Sequence, residues 1–273
     1  MRQVEERYIS LLTDFGFKRI FGTAMNKDLL ICFLNSLFDG KQVVKDVSYL
    51  NPEHVGDVYT DRKAIFDVYC EGENGEKFIV EMQNAYQTYF KDRSLFYSTF
   101  PIREQAALLN FDMNEEAFEK EKIRHSVQLC DTATHKVFYD KLELIYVEIA
   151  KFNKSLEELE TLYDKWLYAL KNLYKLTQRP KELCDKVFDR LFEEAEIAKF
   201  TPQELREYEA SKIAYRDIKN SVDTAKREGI AEGMEKKSHE IAKKMLTKGM
   251  DEATVMEITG LPAELIQQLK AEM

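Results

Sequence analysis

The sequence predicts an α/β (α+β) fold, with a core sheet flanked by helices and then a mostly α-helical C-terminal half. Two observations predict it. Helical apolar spacing alternates with short strand-like apolar runs up to residue 152. From Ser155 onward the spacing is helical. All ten glycines lie at or before Gly75 or at or after Gly229. A long helical region tolerates such a gap, but an α/β core usually needs a left-handed turn between a helix and the next strand, so a piece of the core is expected to be missing there.

The first predicted elements are two helices and a strand. Apolar residues from Tyr8 to Phe21 recur at helical spacing, and a second helical stripe runs from Leu29 to Leu37. The run from Val43 to Leu50 is typical of a strand, which Asn51-Pro52 ends.

A β-hairpin with acidic residues follows. Two short apolar runs, at 64–70 and 78–83, flank a polar loop and carry Asp67, Glu81 and Gln83. Carboxylates inside strands are disfavoured by propensity and by burial unless a partner compensates them. The hairpin therefore indicates a functional site, and a divalent cation is the expected partner of its acidic residues.

The turn decides which hairpin residues share a face. A two-residue turn at Asn74-Gly75 would place Asp67 and Glu81 on opposite faces, because a slip of one residue exchanges the faces. A three-residue loop with a left-handed Gly75 would place them opposite each other on one face. The hydrophobic pattern favours this second register, because its other face is uniformly apolar, with Phe66 opposite Met82, Val68 opposite Val80 and Cys70 opposite Phe78.

In that register the Cβ atoms of Asp67 and Glu81 would lie about 4.5–5.5 Å apart. One or two carboxylates, waters and a substrate phosphate complete the oxygen shell that Mg²⁺ prefers. The alternative is an exposed face with two solvated acids. Ile65, Tyr69 and Ile79 on the same face disfavour that alternative, because they indicate that the face is partly covered.

Three regions are predicted along the chain: a core at 1–152, a helical region at 153–228, and a polar helical tail with a terminal helical hairpin at 229–273. The predicted elements after the hairpin are a helix from Tyr86 to Ala107 interrupted at Pro101, a strand from Leu142 to Ile149, and helices from Leu156 to Leu176, Lys181 to Phe200 and Pro202 to Ala225.

Composition excludes several classes of protein. A net charge of −9 argues against coating nucleic acid by bulk attraction, although a local positive surface around a cleft would suffice for a nuclease. The four cysteines include no CxxC pair, so neither a zinc site nor a disulfide framework is expected. No apolar stretch is long enough for a membrane span, the N-terminus lacks a signal-peptide core, and we expect a cytoplasmic location.

Several segments together resemble a known family. They are Thr13-Asp14-Phe15-Gly16-Phe17-Lys18-Arg19-Ile20-Phe21-Gly22, Lys63 to Cys70, Phe78 to Asn84, Lys151 to Lys154, Asp164 to Leu167 and Ala195 to Ala198. In these segments the chain resembles the Rpn-like, PD-(D/E)XK nuclease family transposases. The resemblance implies a restriction-endonuclease-like core, DNA endonuclease activity dependent on Mg²⁺ (or Mn²⁺), and a link to recombination or mobile elements.

The resemblance also implies roles for individual residues. Asp67 and Glu81 would be metal ligands, and Asp14 occupies the place where related folds bring a helix acid to the metal. The alternative for Asp14 is an i,i+4 ion pair with Lys18. Gln83 stands where lysine is frequent in related folds, and an amide can orient a water but cannot supply a cation.

Three further side chains are candidates for the site. Lys63 shares the strand face of Asp67 and would be a displaced catalytic lysine, or else an ordinary solvated lysine. Arg93 and Tyr97 lie one helical turn apart and would contact DNA phosphate, or else form half-exposed packing. DNA is the expected partner, and the sequence is compatible with a homodimer.

One departure from the family pattern lies between Arg103 and Phe111. A glycine-containing turn and a core strand are expected there, whereas the chain passes from Ile102-Arg103-Glu104-Gln105-Ala106-Ala107 almost directly into Leu108-Leu109-Asn110-Phe111. We therefore expect a shortened core. If the strand beside the catalytic hairpin is absent, either Leu142 to Ile149 takes its place or the core is exposed and less stable. Activity would then be in doubt.

Two other functions compete with the nuclease. A catalytically impaired relative would serve as a DNA-binding or protein-interaction module. A helix-turn-helix from Asp251 to Lys270 would make the protein a regulator, but Glu252, Glu257 and Glu264 leave its recognition segment poor in basic residues. A plain helical hairpin is the favoured interpretation of that segment.

Overall fold

A computed structural model describes residues 6–38, 40–50, 53–54, 64–65, 67–73, 75–84, 104–113 and 118–271. The chain divides into two compact units, Met1–Arg216 and Asp217–Met273. The first unit contains the sheet and the helices that pack on it. The second contains the end of a long helix and two short ones.

The described strands are β1 (Val47–Tyr49), β2 (Glu53–His54), β3 (Ala64–Ile65), β4 (Val68–Gly72), β5 (Lys77–Gln83), β6 (Glu104–Leu109), β7 (Arg124–Cys130) and β8 (Val137–Glu148). The described α-helices are α1 (Asp14–Phe21), α2 (Lys27–Phe38), α3 (Leu162–Asn172), α4 (Lys186–Glu194), α5 (Pro202–Thr247), α6 (Glu252–Thr259) and α7 (Ala263–Ala271).

Six strands form one mixed sheet in the order β1-β4-β5-β6-β8-β7. The β4–β5 and β7–β8 pairs are antiparallel, whereas β6 runs parallel to both β5 and β8. Strands β2 and β3 form a separate two-stranded sheet. The predicted mixed α/β fold is therefore confirmed.

The hairpin has the register that the apolar face predicted. Val68 pairs with Val80 and Cys70 with Phe78. The loop is closed by a hydrogen bond of 2.8 Å from the Gly72 N–H to the Glu76 carbonyl oxygen, and Gly75 has a φ of 80°. A left-handed conformation is costly for residues with a Cβ, so glycine at this position helps to set the register.

The expectation that the flanking strand is absent is wrong. Strand β6 lies between β5 and β8 and pairs with both. The predicted helix from Tyr86 to Ala107 is therefore wrong at its C-terminal end, and 85–103 lies outside the described residues. The residues Glu104-Gln105-Ala106-Ala107 favour a helix by propensity, but pairing on both sides places them in the sheet.

The main hydrophobic core lies between one face of the sheet and the helices. It contains Val80 and Val147 from the sheet, Phe17 from α1, Phe33 from α2 and Trp166 from α3. The other face carries two smaller clusters: Tyr69 with Ile79, and Leu109 and Tyr146 with two further apolar residues. Side chains alternate between these faces along β5, so Glu81 lies on the same side as Ile79.

Two N-terminal elements are shorter than predicted, for identifiable reasons. Helix α1 starts at Asp14 rather than Tyr8, because the segment before it pairs with the chain after α4: the Ile9 N–H donates to the Ala195 carbonyl oxygen at 3.0 Å. Strand β1 starts at Val47 rather than Val43. The Asn35 side chain binds both the N–H and the carbonyl oxygen of Val44, which removes Val44 from a ladder.

The later boundaries also shift. The predicted strand at Leu142 to Ile149 is the second half of β8, which starts at Val137 because it also forms the hairpin with β7. Helices α3 and α4 are shorter than predicted, and α3 starts where the Thr161 hydroxyl and the Asp164 carboxylate form a capping box.

Helix α5 is much longer than predicted and continues to Thr247. Gly229 and Gly233 lie inside it, with nothing within 4 Å of the position that a Cβ would occupy. The predicted polar tail from 229 therefore does not begin a separate element. Among the described helices, none is both long and apolar enough to span a bilayer.

The second unit is built around a small apolar cluster. Ala242 from α5, Val255 from α6, and Ile266 and Leu269 from α7 are buried together. Asp251 caps α6, and Gly260 ends it in the left-handed conformation with a φ of 69°. The end of α5, α6 and α7 therefore pack as three helices joined by short turns.

Candidate active site

Helix α1 is fixed by the residues that precede it. The Thr13 hydroxyl accepts a hydrogen bond of 3.1 Å from the Gly16 N–H and donates one of 2.8 Å to the Ser10 carbonyl oxygen. A Cβ on Gly16 would lie 2.1 Å from that same oxygen, so a larger residue cannot fit without moving the backbone. The Thr-Asp-Phe-Gly segment therefore specifies a tight entry into α1.

Two contacts tie the start of α1 to the rest of the first unit. The Asn84 amide, just after β5, donates a hydrogen bond of 3.0 Å to the Leu12 carbonyl oxygen. The Phe15 N–H donates one of 3.0 Å to the Ser211 hydroxyl on α5. These contacts set the position of Asp14 and Lys18 relative to the C-terminal end of β5.

Asp67 lies immediately before β4, and both of its carboxylate oxygens face a donor. Oδ2 accepts a hydrogen bond of 2.8 Å from the Met82 N–H, and Oδ1 is 3.7 Å from the Lys18 ammonium nitrogen. The Asp67 side chain is 24% exposed. It thus joins the catalytic hairpin of the sequence prediction to helix α1.

The environment of Asp67 disfavours its charge. Burial raises the pKa of its carboxyl, and the nearby Asp14 carboxylate adds to that effect. The Met82 N–H and the Lys18 ammonium act in the opposite direction but do not cancel the rise. An additional cation beside Asp67 would therefore stabilise the ionised form.

Lys18 lies between two acids. Its ammonium nitrogen is 2.7 Å from Asp14 Oδ1 in addition to its 3.7 Å contact with Asp67. Burial alone would lower the pKa of Lys18, but the Asp14 and Asp67 carboxylates outweigh it, so the pKa is raised. The i,i+4 ion pair that the sequence offered as the alternative for Asp14 is thus present.

Glu81 and Gln83 lie on β5 within the sheet. Glu81 is 8% exposed, and the Gln83 carbonyl oxygen accepts a hydrogen bond of 2.9 Å from the Asn110 N–H. Continuing the hairpin register by one pair would set Asp67 opposite Glu81, but the strand pairing ends at Val68 and Val80. A buried carboxylate in a strand needs compensation by hydrogen bonds or a cation.

Divalent-metal binding is consistent with part of this arrangement. Within the described ranges, no group of three or more His, Cys, Asp or Glu side chains is placed to hold an ion. A Mg²⁺ ion can, however, be held by one or two carboxylates and waters. The Lys18 ammonium supplies one positive charge beside Asp14 and Asp67.

A cleft of about 750 Å³ lies between α1 and the first part of α5, and its described lining includes Asp14 but neither Asp67 nor Glu81. Asp14 and Lys18 line it from α1, and Glu207, Ala210 and Ser211 line it from α5. Lys18 is therefore accessible from solvent through this cleft.

Comparison with known proteins identifies the family. Residues 11–225 match the model of the PD-(D/E)XK nuclease family transposases. The chain belongs to this family. Residues 235–271 match a second model, the C-terminal HTH domain of the Rpn/YhgA-like nuclease family. No curated protein and no solved structure matches the sequence significantly.

The second match corrects the favoured interpretation of the C-terminus. In this PD-(D/E)XK family member, α6 and α7 belong to a helix-turn-helix domain rather than to a plain helical hairpin. The acidic residues that argued against it, such as Glu252, lie on the surface, where Glu252 pairs with Lys270 at 2.6 Å. The fold of this segment depends on the apolar cluster buried between its three helices and not on the charge of its surface.

Two residues in the surroundings of the candidate site were not assigned from sequence. Lys18 was considered only as a partner of Asp14, and its contact with Asp67 depends on tertiary packing. Asn84 carries no local pattern that predicts its bond to the Leu12 carbonyl oxygen. The candidates Lys63, Arg93 and Tyr97 lie outside the described residues.

Proposed function

We propose that this PD-(D/E)XK family protein is a metal-dependent DNA endonuclease that hydrolyses phosphodiester bonds, with a role in recombination or mobile elements. The observation that carries the proposal is the environment of Asp67. Its half-buried carboxylate lies between the Met82 N–H and the Lys18 ammonium, beside the strand that bears Glu81. A functional acid in a nuclease family is expected in such a place.

Asp67 and Glu81 would hold Mg²⁺ (or Mn²⁺), with Asp14 as a third carboxylate from α1. The ion would polarise a phosphoryl oxygen and lower the pKa of a bound water. Asp67 would use Oδ1 for this role, because Oδ2 is engaged by the Met82 N–H.

The chain's own residues would orient the reacting groups. The Gln83 amide can hold a water by hydrogen bonds, but it is neither a cation nor an acid near neutral pH. The Met82 N–H fixes the rotation of the Asp67 carboxylate, and the Asn84 contact fixes α1. Lys63 as a displaced lysine, and Arg93 and Tyr97 as phosphate contacts, remain proposals from the sequence.

Cleavage of supercoiled plasmid DNA, with and without Mg²⁺ or Mn²⁺, tests the proposal. The wild type is expected to nick or linearise the plasmid only with metal, and Asp67→Asn is expected to reduce the cleavage rate by about a hundred-fold or more. Metal-independent cleavage, or equal cleavage by both proteins, would overturn it.

The helix-turn-helix match favours a second candidate, a DNA-binding module without cleavage. The family membership and this domain together imply DNA binding. DNA retention in a mobility-shift assay, with no cleavage under any metal condition, would favour this function over the endonuclease.

A further inference from the structure

Lys18 has an environment unlike that of an ordinary surface lysine. Its ammonium group contacts Asp14 at 2.7 Å and Asp67 at 3.7 Å, and its side chain is 41% exposed at the wall of the cleft. Among the described residues, Lys18 is the cation that contacts Asp67. It therefore contacts two of the three proposed metal ligands, Asp14 and Asp67, and also lines the open cleft.

The charge balance of the proposed reaction favours a further cation at this position. Asp14, Asp67 and Glu81 would carry three negative charges, of which a divalent cation would balance two. The phosphodiester brings one negative charge and gains another in the transition state. Cations placed where that charge develops supply much of the catalysis of phosphoryl transfer. Gln83, two residues after Glu81 on β5, cannot supply a positive charge.

We propose that Lys18 is a further catalytic residue, whose ammonium contacts a non-bridging oxygen of the scissile phosphate. In the absence of DNA it bridges Asp14 and Asp67. With DNA bound, it turns towards the phosphate on its flexible four-carbon chain. This inference rests on the proposed endonuclease function and extends it to the residue that neutralises the substrate.

The chemical step balances without a proton from Lys18. The water oxygen forms a bond to phosphorus, and the bond from phosphorus to one bridging sugar oxygen breaks. A proton of the water passes to solvent, and the leaving oxygen takes one from solvent. Lys18 keeps its protons and donates a hydrogen bond throughout.

Three variants test the role of Lys18. Lys18→Met removes the charge, Lys18→Gln retains a hydrogen-bond donor without the charge, and Lys27→Met serves as the control. Lys27 on α2 is a matched control because it is similarly exposed and forms an ion pair of 2.7 Å, with Asp46. Thermal unfolding establishes which variants fold, and Lys18→Gln replaces Lys18→Met if the latter does not.

Two measurements are made on each protein. The first is plasmid cleavage with Mg²⁺, where loss of Lys18 is expected to reduce the rate by about a hundred-fold or more. The second is DNA affinity with Ca²⁺ at several salt concentrations. Losing one phosphate contact is expected to lower the slope of log affinity against log salt by about 0.9. Lys27→Met is expected to match the wild type in both.

The outcomes separate this proposal from the proposed function. If the wild type does not cleave DNA with any metal, the endonuclease function fails, and the salt slope still decides whether Lys18 contacts phosphate. If the wild type cleaves and folded Lys18 variants match Lys27→Met in rate and slope, Lys18 is only a structural ion-pair partner. The endonuclease function would then stand without it.

Discussion

The Met82 N–H donates a hydrogen bond of 2.8 Å to Asp67 Oδ2. This bond takes the place of a further backbone pair, because the pairing of β4 with β5 ends at Val68 and Val80. A carboxylate thus replaces a carbonyl oxygen as the acceptor at the end of the hairpin. Oδ2 of Asp67 therefore supports the structure of the hairpin, and Oδ1 faces the Lys18 ammonium.

This double role predicts different effects for two substitutions of Asp67. Asp67→Asn keeps an acceptor for the Met82 N–H, so it is expected to fold but to lose about a hundred-fold or more of the cleavage rate. Asp67→Ala leaves the N–H without its acceptor and is expected to cost a further 1–3 kcal/mol or so of unfolding free energy. Urea unfolding and plasmid cleavage measure the two effects. Equal stability of both variants would contradict the structural role.

The stability of the metal-free protein should depend on the ionisation of Asp67. Its pKa is raised by burial and by Asp14, so its favourable contribution is complete below the unfolded-state pKa of about 3.9. That contribution is lost as the pH rises through the raised folded-state value. The stability of Asp67→Asn relative to the wild type should therefore increase as the pH rises from the unfolded-state pKa through the raised folded-state pKa.

Melting temperatures of the wild type and Asp67→Asn test the sign of this pH dependence. They are measured in EDTA from about pH 3.9, the unfolded-state pKa, upward. Adding Mg²⁺ at neutral pH should raise the melting temperature of the wild type more than that of Asp67→Asn, because the ion requires the ionised carboxylate. If the difference in melting temperature between the two proteins in EDTA did not change with pH, burial would not raise the pKa of Asp67.

Gly16 and Gly229 make a matched pair for testing the entry into α1. A Cβ on Gly16 would lie 2.1 Å from the Ser10 carbonyl oxygen, whereas Gly229 has open space around it. Gly16→Ala is expected to lower the unfolding free energy by about 1–3 kcal/mol or more and to reduce cleavage by displacing Asp14 and Lys18.

Gly229→Ala lies inside a helix and is expected to be neutral or stabilising, by up to about 1 kcal/mol. Thermal unfolding of both variants provides the comparison. If Gly16→Ala were as stable and active as Gly229→Ala, the tight turn before α1 would not determine the position of the site.

Glu148 should support the fold rather than the chemistry. It is fully buried, and its carboxylate binds the Met113 N–H at 2.6 Å, Lys151 at 2.7 Å and His125 at 3.0 Å. Glu148→Ala would leave these partners uncompensated, at a cost of about 3 kcal/mol. Glu148→Gln keeps an acceptor for the Met113 N–H and should cost less. If chemical denaturation gave the same loss of unfolding free energy for both variants, the acceptor for the Met113 N–H would contribute little to stability.

The hairpin could be predicted from sequence because its information is local. Alternating side chains made one face of the pairs Val68–Val80 and Cys70–Phe78 apolar, and only one register satisfied that pattern. Gly75 supplied the left-handed residue that this register requires. The i,i+4 pair of Asp14 and Lys18 was equally local.

Strand β6 and the contact between Lys18 and Asp67 could not be predicted in this way. The first half of β6 consists of Glu, Gln and Ala, whose intrinsic preference is helical, and two neighbouring strands override it. The position of Lys18 over Asp67 depends on how α1 packs on the sheet. Tyr208 and Ser211 of α5 and Asn84 after β5 help to fix that packing, and all three are distant in sequence from α1.

The most direct test of the proposed metal site is a crystal structure of the protein soaked with Mn²⁺, with the ion located by its anomalous scattering. We predict a peak bound by Asp67 Oδ1 and Glu81, with Asp14 nearby and Lys18 displaced from its position between the acids. The absence of any peak at Asp67 in crystals whose other sites bind Mn²⁺ would contradict the metal-dependent mechanism.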